Sequence, residues 1–201
     1  MAHPFVRLKA SIATVFLFTL VAFASQTHAG VFEVGASGSY KRSNIATDAF
    51  DESYSLTGSI SYYFSDSSAF ELSYTDGTNR RVVGEKSVDG YTTNMYYKMA
   101  GFDFVLTMGE KESTIRPYIK MGAVYIFEKK IVNQYRYNGV FTPSTAEDQP
   151  ALVPSAGIGF KLRLSQGWSI KVGAEAWSSR PIGTDPFSID YAGRAGLSWM
   201  F

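Results

Sequence analysis

Tyr191-Ala192-Gly193-Arg194-Ala195-Gly196-Leu197-Ser198-Trp199-Met200-Phe201, the last stretch of the chain, decides the fold. Tyr191, Gly193, Ala195, Leu197, Trp199 and Phe201 fall on one side of an extended chain, and Ala192, Arg194, Gly196, Ser198 and Met200 on the other. A strand sends successive side chains to opposite faces. A soluble sheet rarely leaves such a strand as a bare edge ending in Trp-x-Phe. A membrane-spanning barrel accounts for it: one face meets lipid, the other a polar lumen, and the last strand pairs with the first.

The same alternation recurs upstream. Strands are predicted at residues 31–41, 53–64, 69–75, 91–108, 116–128, 151–164, 168–177 and 191–201. In the second, Leu56, Ile60, Tyr62 and Phe64 share a face opposite Ser55, Thr57, Ser59 and Ser61. In the sixth, Ile158, Phe160, Leu162 and Leu164 oppose Gly157, Gly159, Lys161 and Arg163. Short turns alternate with long, irregular connections at 42–52, 76–90, 129–150 and 178–188. The expected fold is all-β: an eight-stranded antiparallel transmembrane β-barrel with short periplasmic turns and longer extracellular loops. The fourth strand breaks the pattern. Phe102, Phe104, Leu106 and Met108 face outward, but that phase turns Met95, Tyr97 and Met99 inward and Asn94 and Lys98 outward. Either its upper half stands above the membrane, or a bulge near Gly101 shifts the phase.

At the other end, Arg7 and Lys9 precede an apolar run, 12–24, too short to span a bilayer. Thr27-His28-Ala29 then offers small residues before a cut, with Ala22-Phe23-Ala24 as a second site. Residues 1–29 therefore read as a cleaved signal peptide and 30–201 as one barrel domain. The chain has no Cys, hence no lipid anchor and no disulfide. Removing Arg7 and Lys9 leaves seventeen basic side chains against eighteen acidic ones. Nucleic-acid binding calls for a basic excess, and there is none.

Inward positions carry ionisable groups of both signs: Glu33, Glu71, Asp103, Lys120, Lys161, Arg163, Lys171, Glu175 and Arg194. A buried charge is costly unless paired, so a cross-lumen charge network is expected. Eight strands enclose a space that side chains nearly fill. Such a network is either a plug that fixes strand register or the lining of a gated polar path.

Gly157-Ile158-Gly159-Phe160-Lys161-Leu162-Arg163-Leu164-Ser165-Gln166-Gly167-Trp168-Ser169-Ile170 resembles the outer-membrane β-barrel family of opacity proteins, OmpX and the transmembrane domain of OmpA. Arg116-Pro117-Tyr118-Ile119-Lys120-Met121-Gly122 looks like the strand that follows the central periplasmic turn in that family. The resemblance spans residues 30–201. It implies the outer membrane of a Gram-negative bacterium, with outer-membrane lipid and lipopolysaccharide around the barrel. It also implies handling by the barrel-assembly machinery, for which Tyr191, Leu197, Trp199 and Phe201 look like the assembly signal. The family shares no catalytic residues and implies no cofactor. No counterpart of the peptidoglycan-binding domain of OmpA is expected after the barrel.

Some small barrels are enzymes, and these use a His as base or acyl-transfer partner. His3 and His28 both lie within the expected signal peptide, so an enzyme is not expected. Without His or Cys the usual transition-metal ligands are absent too. Asp48, Asp51 and Glu52 are the densest acidic group and read as a solvated loop rather than a calcium site. Lys129, Lys130, Tyr135, Arg136 and Tyr137 form a basic-aromatic cluster near the outer rim. It is a candidate surface-binding patch for an external ligand, or an extension of the aromatic girdle against lipid headgroups. The expected role is structural or surface-interacting, with four loops displayed outside; the alternative is a narrow pore for small or hydrophobic solutes.

Overall fold

The computed structural model describes residues 31–46, 48–84, 90–110, 112–137, 140–147, 149–178 and 189–201. The expected signal peptide, 1–29, lies outside the described residues. The strands in chain order are β1 (Val31–Ala46), β2 (Ala49–Tyr63), β3 (Ser68–Val83), β4 (Gly90–Thr107), β5 (Ile115–Tyr137), β6 (Val140–Glu147), β7 (Ala151–Arg163), β8 (Trp168–Ser178) and β9 (Ile189–Met200). Their ladder order is β4-β3-β2-β1-β9-β8-β7-β5, and a β4–β5 pairing joins the two ends, so eight strands close a ring. β6 stands outside the ring and, among the described residues, pairs with β5 alone.

Alternation makes the molecule inside-out. On β2, Leu56 is exposed while its neighbours Ser55 and Thr57 are buried. Leu72, Ile158 and Leu197 are likewise exposed on the outer wall. An apolar band that continuous exceeds what a soluble surface tolerates, and lipid is the medium that covers it. At one end of the wall rings pack in series: Phe64, Phe70 and Phe104, then Trp168, Trp199 and Phe201. The ring of strands closes there, where Phe201 N–H donates to the Phe32 carbonyl at 3.0 Å and Phe32 N–H to the Phe201 carbonyl at 3.2 Å.

The fourth strand keeps its phase. β3 and β4 pair in unbroken register from Ser68–Leu106 to Val83–Tyr91, so nothing shifts near Gly101. The irregularity lies in β5 instead: Lys98 pairs with Glu128 but Met99 pairs with Ile126, which leaves Phe127 as an extra residue. That bulge keeps Phe127 outside, 5.9 Å from the Tyr74 ring. Met95, Tyr97 and Met99 consequently do face inward, and the upper half of β4 stands with β3 and β5 above the apolar band.

The predicted long loops are shorter than expected. β1 and β2 run on to a tight connection between Ala46 and Ala49, and β3 continues to Val83. The 129–150 stretch is largely a β5–β6 hairpin, pairing Lys130–Glu147 through Tyr137–Val140. Above the membrane the outer face needs no apolar side chains, so alternation fades while the backbone ladder continues.

Candidate functional site

Seven strands supply the charges of the central lumen. The carboxylates are Glu33 (β1), Glu71 (β3), Asp103 (β4) and Glu175 (β8); the cations are Lys120 (β5), Lys161 (β7), Lys171 (β8) and Arg194 (β9). Lys161 pairs with Glu33, and Lys171 bridges Glu33 at 2.5 Å and Glu71 at 3.3 Å. Lys120 bridges Glu175 at 2.6 Å, Asp103 at 3.3 Å and Glu71 at 3.5 Å. Arg194 reaches the far oxygen of Glu175 at 3.1 Å. The result is one connected network in which four negative charges meet four positive ones. Glu33 is 1% and Asp103 2% exposed, so an unpaired charge there would cost several kcal/mol. The pairing offsets that penalty.

Of the nine predicted lumen charges, Arg163 stands apart. Its Nε donates to the Ser165 carbonyl at 3.3 Å, in the turn after β7. It lies where the lumen opens toward that end of the barrel, so phase alone placed it with the network although height does not.

Neutral groups complete the network. Tyr63 OH donates to Glu33 at 3.3 Å, Ser61 to Glu71 at 3.0 Å and Ser155 to Asp103 at 2.8 Å, while Arg194 donates to Thr57 at 2.8 Å. Sequence reasoning missed Tyr63 as a partner; its position one residue after the outward Tyr62 was the available signal. Tyr118 was missed as well. Its ring lies over the paired Gly159 and Gly173, where a Cβ on Gly173 would come within 2.6 Å of the Tyr118 hydroxyl. Those glycines make room for a ring rather than merely filling space.

The network leaves little room. Cavities of about 40 and 20 Å³ remain around Glu71, Lys120 and Lys171 and around Asp103 and Glu175, enough for a few waters. On either side the lumen widens. One cup of about 390 Å³ lies between the upper strands, and another of about 650 Å³ lies at the opposite end beside Arg116 and Arg163.

The other predicted groups fall as follows. Tyr191, Leu197, Trp199 and Phe201 all face outward on or just after β9. Lys130 and Tyr135 sit on opposite faces of the β5–β6 hairpin, opposite Tyr96 and Tyr91 in the β4 register, so they do not make one patch. Lys129, Arg136 and Tyr137 lie in β5, but their side chains lie outside what is described. Asp51 and Glu52 point to different faces. Asp51 holds Arg81 at 2.8 Å and Asn79 at 2.7 Å inside the outer cup, and Glu52 accepts from Tyr40 OH at 2.9 Å. Among the described residues no group of acids is placed to hold a metal ion.

A family model described as the outer membrane protein beta-barrel domain matches residues 10–201. Among solved structures, the N-terminal β-barrel domain of Pseudomonas aeruginosa OprF is similar at 16% identity with a TM-score of 0.55, over 88% of this chain and 100% of that one. Acinetobacter baumannii CarO2 is similar at 14% identity with a TM-score of 0.54, over 85% and 99%. Identities this low show the fold alone. No curated protein sequence matches.

Proposed function

Since the chain belongs to the outer membrane protein β-barrel domain family, we propose that it acts at the cell surface through what it displays, with a lumen closed to solutes. One observation carries this reading: eight lumen charges, balanced in sign, are cross-linked around cavities of only about 40 and 20 Å³. A conducting path would need mobile water and free charge along the axis, and pairing removes both. The display surface is the sheet of β4, β5 and β6 above the barrel. Residues 142–147 of β6 are exposed, and the strand's second edge carries no ladder partner among the described residues. Such an edge, with Lys130 and Tyr135 nearby, suits an external ligand. Lipopolysaccharide and outer-membrane lipid surround the wall below, and the barrel-assembly machinery is the partner during insertion.

The test has two arms. Purified barrel in planar bilayers should show no steady conductance; large stable channels would overturn the closed lumen and favour a narrow pore. The ladder between β5 and β7 begins at Ile126–Ala151, so excising residues 131–146 spares that ladder and removes from the wall only the β4–β5 pairs above Tyr96–Lys130. The trimmed form should lose binding to cells, lipopolysaccharide or phage while keeping its thermal stability. A trimmed form that binds like the parent in every assay leaves only a structural role.

A further inference from the structure

The larger of the two cups lies at the short-turn end of the barrel, which is the periplasmic side in this architecture. It holds about 650 Å³, within the ~300–1,000 Å³ of small-molecule sites. Val31, Tyr63 and Met200 give it an apolar wall, and Arg116, Lys161 and Arg163 line it with positive charge.

Arg116 is the residue that the closed lumen does not account for. It is the second residue of β5, faces inward and is only 7% exposed. Its partner across the β5–β7 ladder is Lys161, also inward and buried, so two cations stand directly opposite. Like charges in that relation are destabilising. Glu33 pairs with Lys161, but among the described residues no carboxylate pairs with Arg116. Its Nη2 reaches past β4 to donate to the Asp66 carbonyl at 2.8 Å, in the turn between β2 and β3, which carries the guanidinium across the mouth of the lumen. Its Nε is buried with no hydrogen-bond partner. Glu33 Oε1 and Arg194 Nε are also buried without a hydrogen bond, yet both lie in ion pairs, 2.5 Å from Lys171 and 3.1 Å from Glu175. Arg116 differs in having a backbone carbonyl and no counter-charge. A buried charge without a counter-ion is costly, and a guanidinium cannot shed its proton to escape that cost. The arrangement calls for an anion in the cup.

The surroundings narrow the choice of anion. Asp66 and Glu112 are exposed where they line the cup, and they repel a multiply charged ligand more than a singly charged one. A carboxylate carries one charge and matches the planar guanidinium fork. The apolar wall suits a hydrocarbon or aromatic body attached to it.

We propose that the periplasmic cup binds a monocarboxylate with an apolar body, the carboxylate on the Arg116 guanidinium and the body against Val31, Tyr63 and Met200. A free organic acid and the C-terminal end of an apolar peptide both offer that chemistry. The site is independent of the displayed hairpin and of whether the lumen conducts, because its ligand arrives from the periplasm and stops below the Lys161–Glu33 pair.

The methionines supply the probes. Met200 lines this cup, Met95 and Met99 line the outer one, and Met121 is exposed on the lipid face. The experiment uses the barrel with methyl-labelled methionine in nanodiscs of zwitterionic lipid, read by methyl NMR. Phenylbutyrate should shift the Met200 signal saturably and leave Met95, Met99 and Met121 unmoved. Its amide, and inorganic phosphate at the same concentration, should leave Met200 unmoved. An acetylated dipeptide of leucine and phenylalanine with a free carboxylate assigns the source: the tighter of the two acids identifies free acid or peptide end. Arg116→Met should weaken the Met200 titration about tenfold or more, the worth of a hydrogen bond to a charged group. Arg81→Met, in the outer cup, should titrate as the parent does. Without ligand, Arg116→Met should melt no lower than the parent, because an apolar side chain replaces an unpaired buried charge. A structural arginine would give the opposite result, so an Arg116→Met barrel that fails to fold or melts well below the parent overturns the proposal. So does a Met200 signal that neither acid moves, one that the amide or phosphate moves equally, or an Arg116→Met barrel that binds as the parent does.

Discussion

Lys120 is the most connected charge in the lumen, within reach of Glu71, Asp103 and Glu175 at once. Removing it leaves three carboxylates short of a partner where Asp103 is almost wholly buried. Breaking a buried ion pair from one side costs about 3–5 kcal/mol, because the orphaned charge keeps its desolvation penalty. Lys120→Ala should therefore lower stability by about that much in urea unfolding from lipid vesicles, and Lys120→Met no less, since its bulk restores packing but not charge. Arg163→Ala should cost less, about 0–1 kcal/mol, since Arg163 is half-buried at the turn and not sealed within the network. Equal losses at the two positions would show that the network does not hold the lumen. At this scale the sequence was informative about sign and face. Period-two phase brought Glu33, Glu71, Asp103, Lys120, Lys161, Lys171, Glu175 and Arg194 to one side of the wall. Phase carries no information on height or on size matching, which is why Arg163 was grouped with them and the Tyr118 ring over Gly159 and Gly173 was not foreseen.

At the scale of the element, the last strand does what its alternation implies. Phe201 exchanges two backbone hydrogen bonds with Phe32, and its ring lies 4.9 Å from that of Trp199 and 6.3 Å from that of Phe32. Closure at that end of the ring depends on the strand arriving in register. Phe201→Ser keeps the backbone bonds and removes the ring. It should sharply reduce the amount of protein reaching the outer membrane while changing the melting temperature of the purified, folded barrel by only a few degrees. Unchanged outer-membrane levels would show that the aromatic is dispensable for assembly. Strand identity was legible because lipid demands apolar residues at the outward positions, which are every second residue. Strand length was not. β1, β3 and β5 outrun their predicted ends, since above Tyr40 and Tyr74 the outward positions face water and Glu52, Asp76 and Lys98 serve there as well as Leu. The β5 bulge was equally hidden: the extra residue at Phe127 shifts the face of every β5 residue beyond it, but only above the apolar band, where outward positions no longer need apolar side chains to mark the phase.

For the molecule as a whole, the charge network lies between two cups, and its charge balance makes the effect of breaking it predictable. Lys171 spans Glu33 and Glu71, which come from β1 and β3, so it joins separate parts of the wall across the axis. Lys171→Ala removes a long flexible side chain and frees its volume for water beside the existing cavity of about 40 Å³. It also leaves four carboxylates facing three cations in the network. The lumen then carries net negative charge, and negative walls in a narrow bore concentrate cations. The parent should be silent in planar bilayers and Lys171→Ala should show small openings that prefer cations, read as a reversal potential that follows the potassium gradient. Neutralising the partner supplies the sign control: Glu71→Gln in the Lys171→Ala background returns the network to three against three and should abolish the preference without closing the path. Openings in Lys171→Ala that prefer anions, or a selectivity indifferent to Glu71→Gln, would mean that ions pass elsewhere than through the charge network.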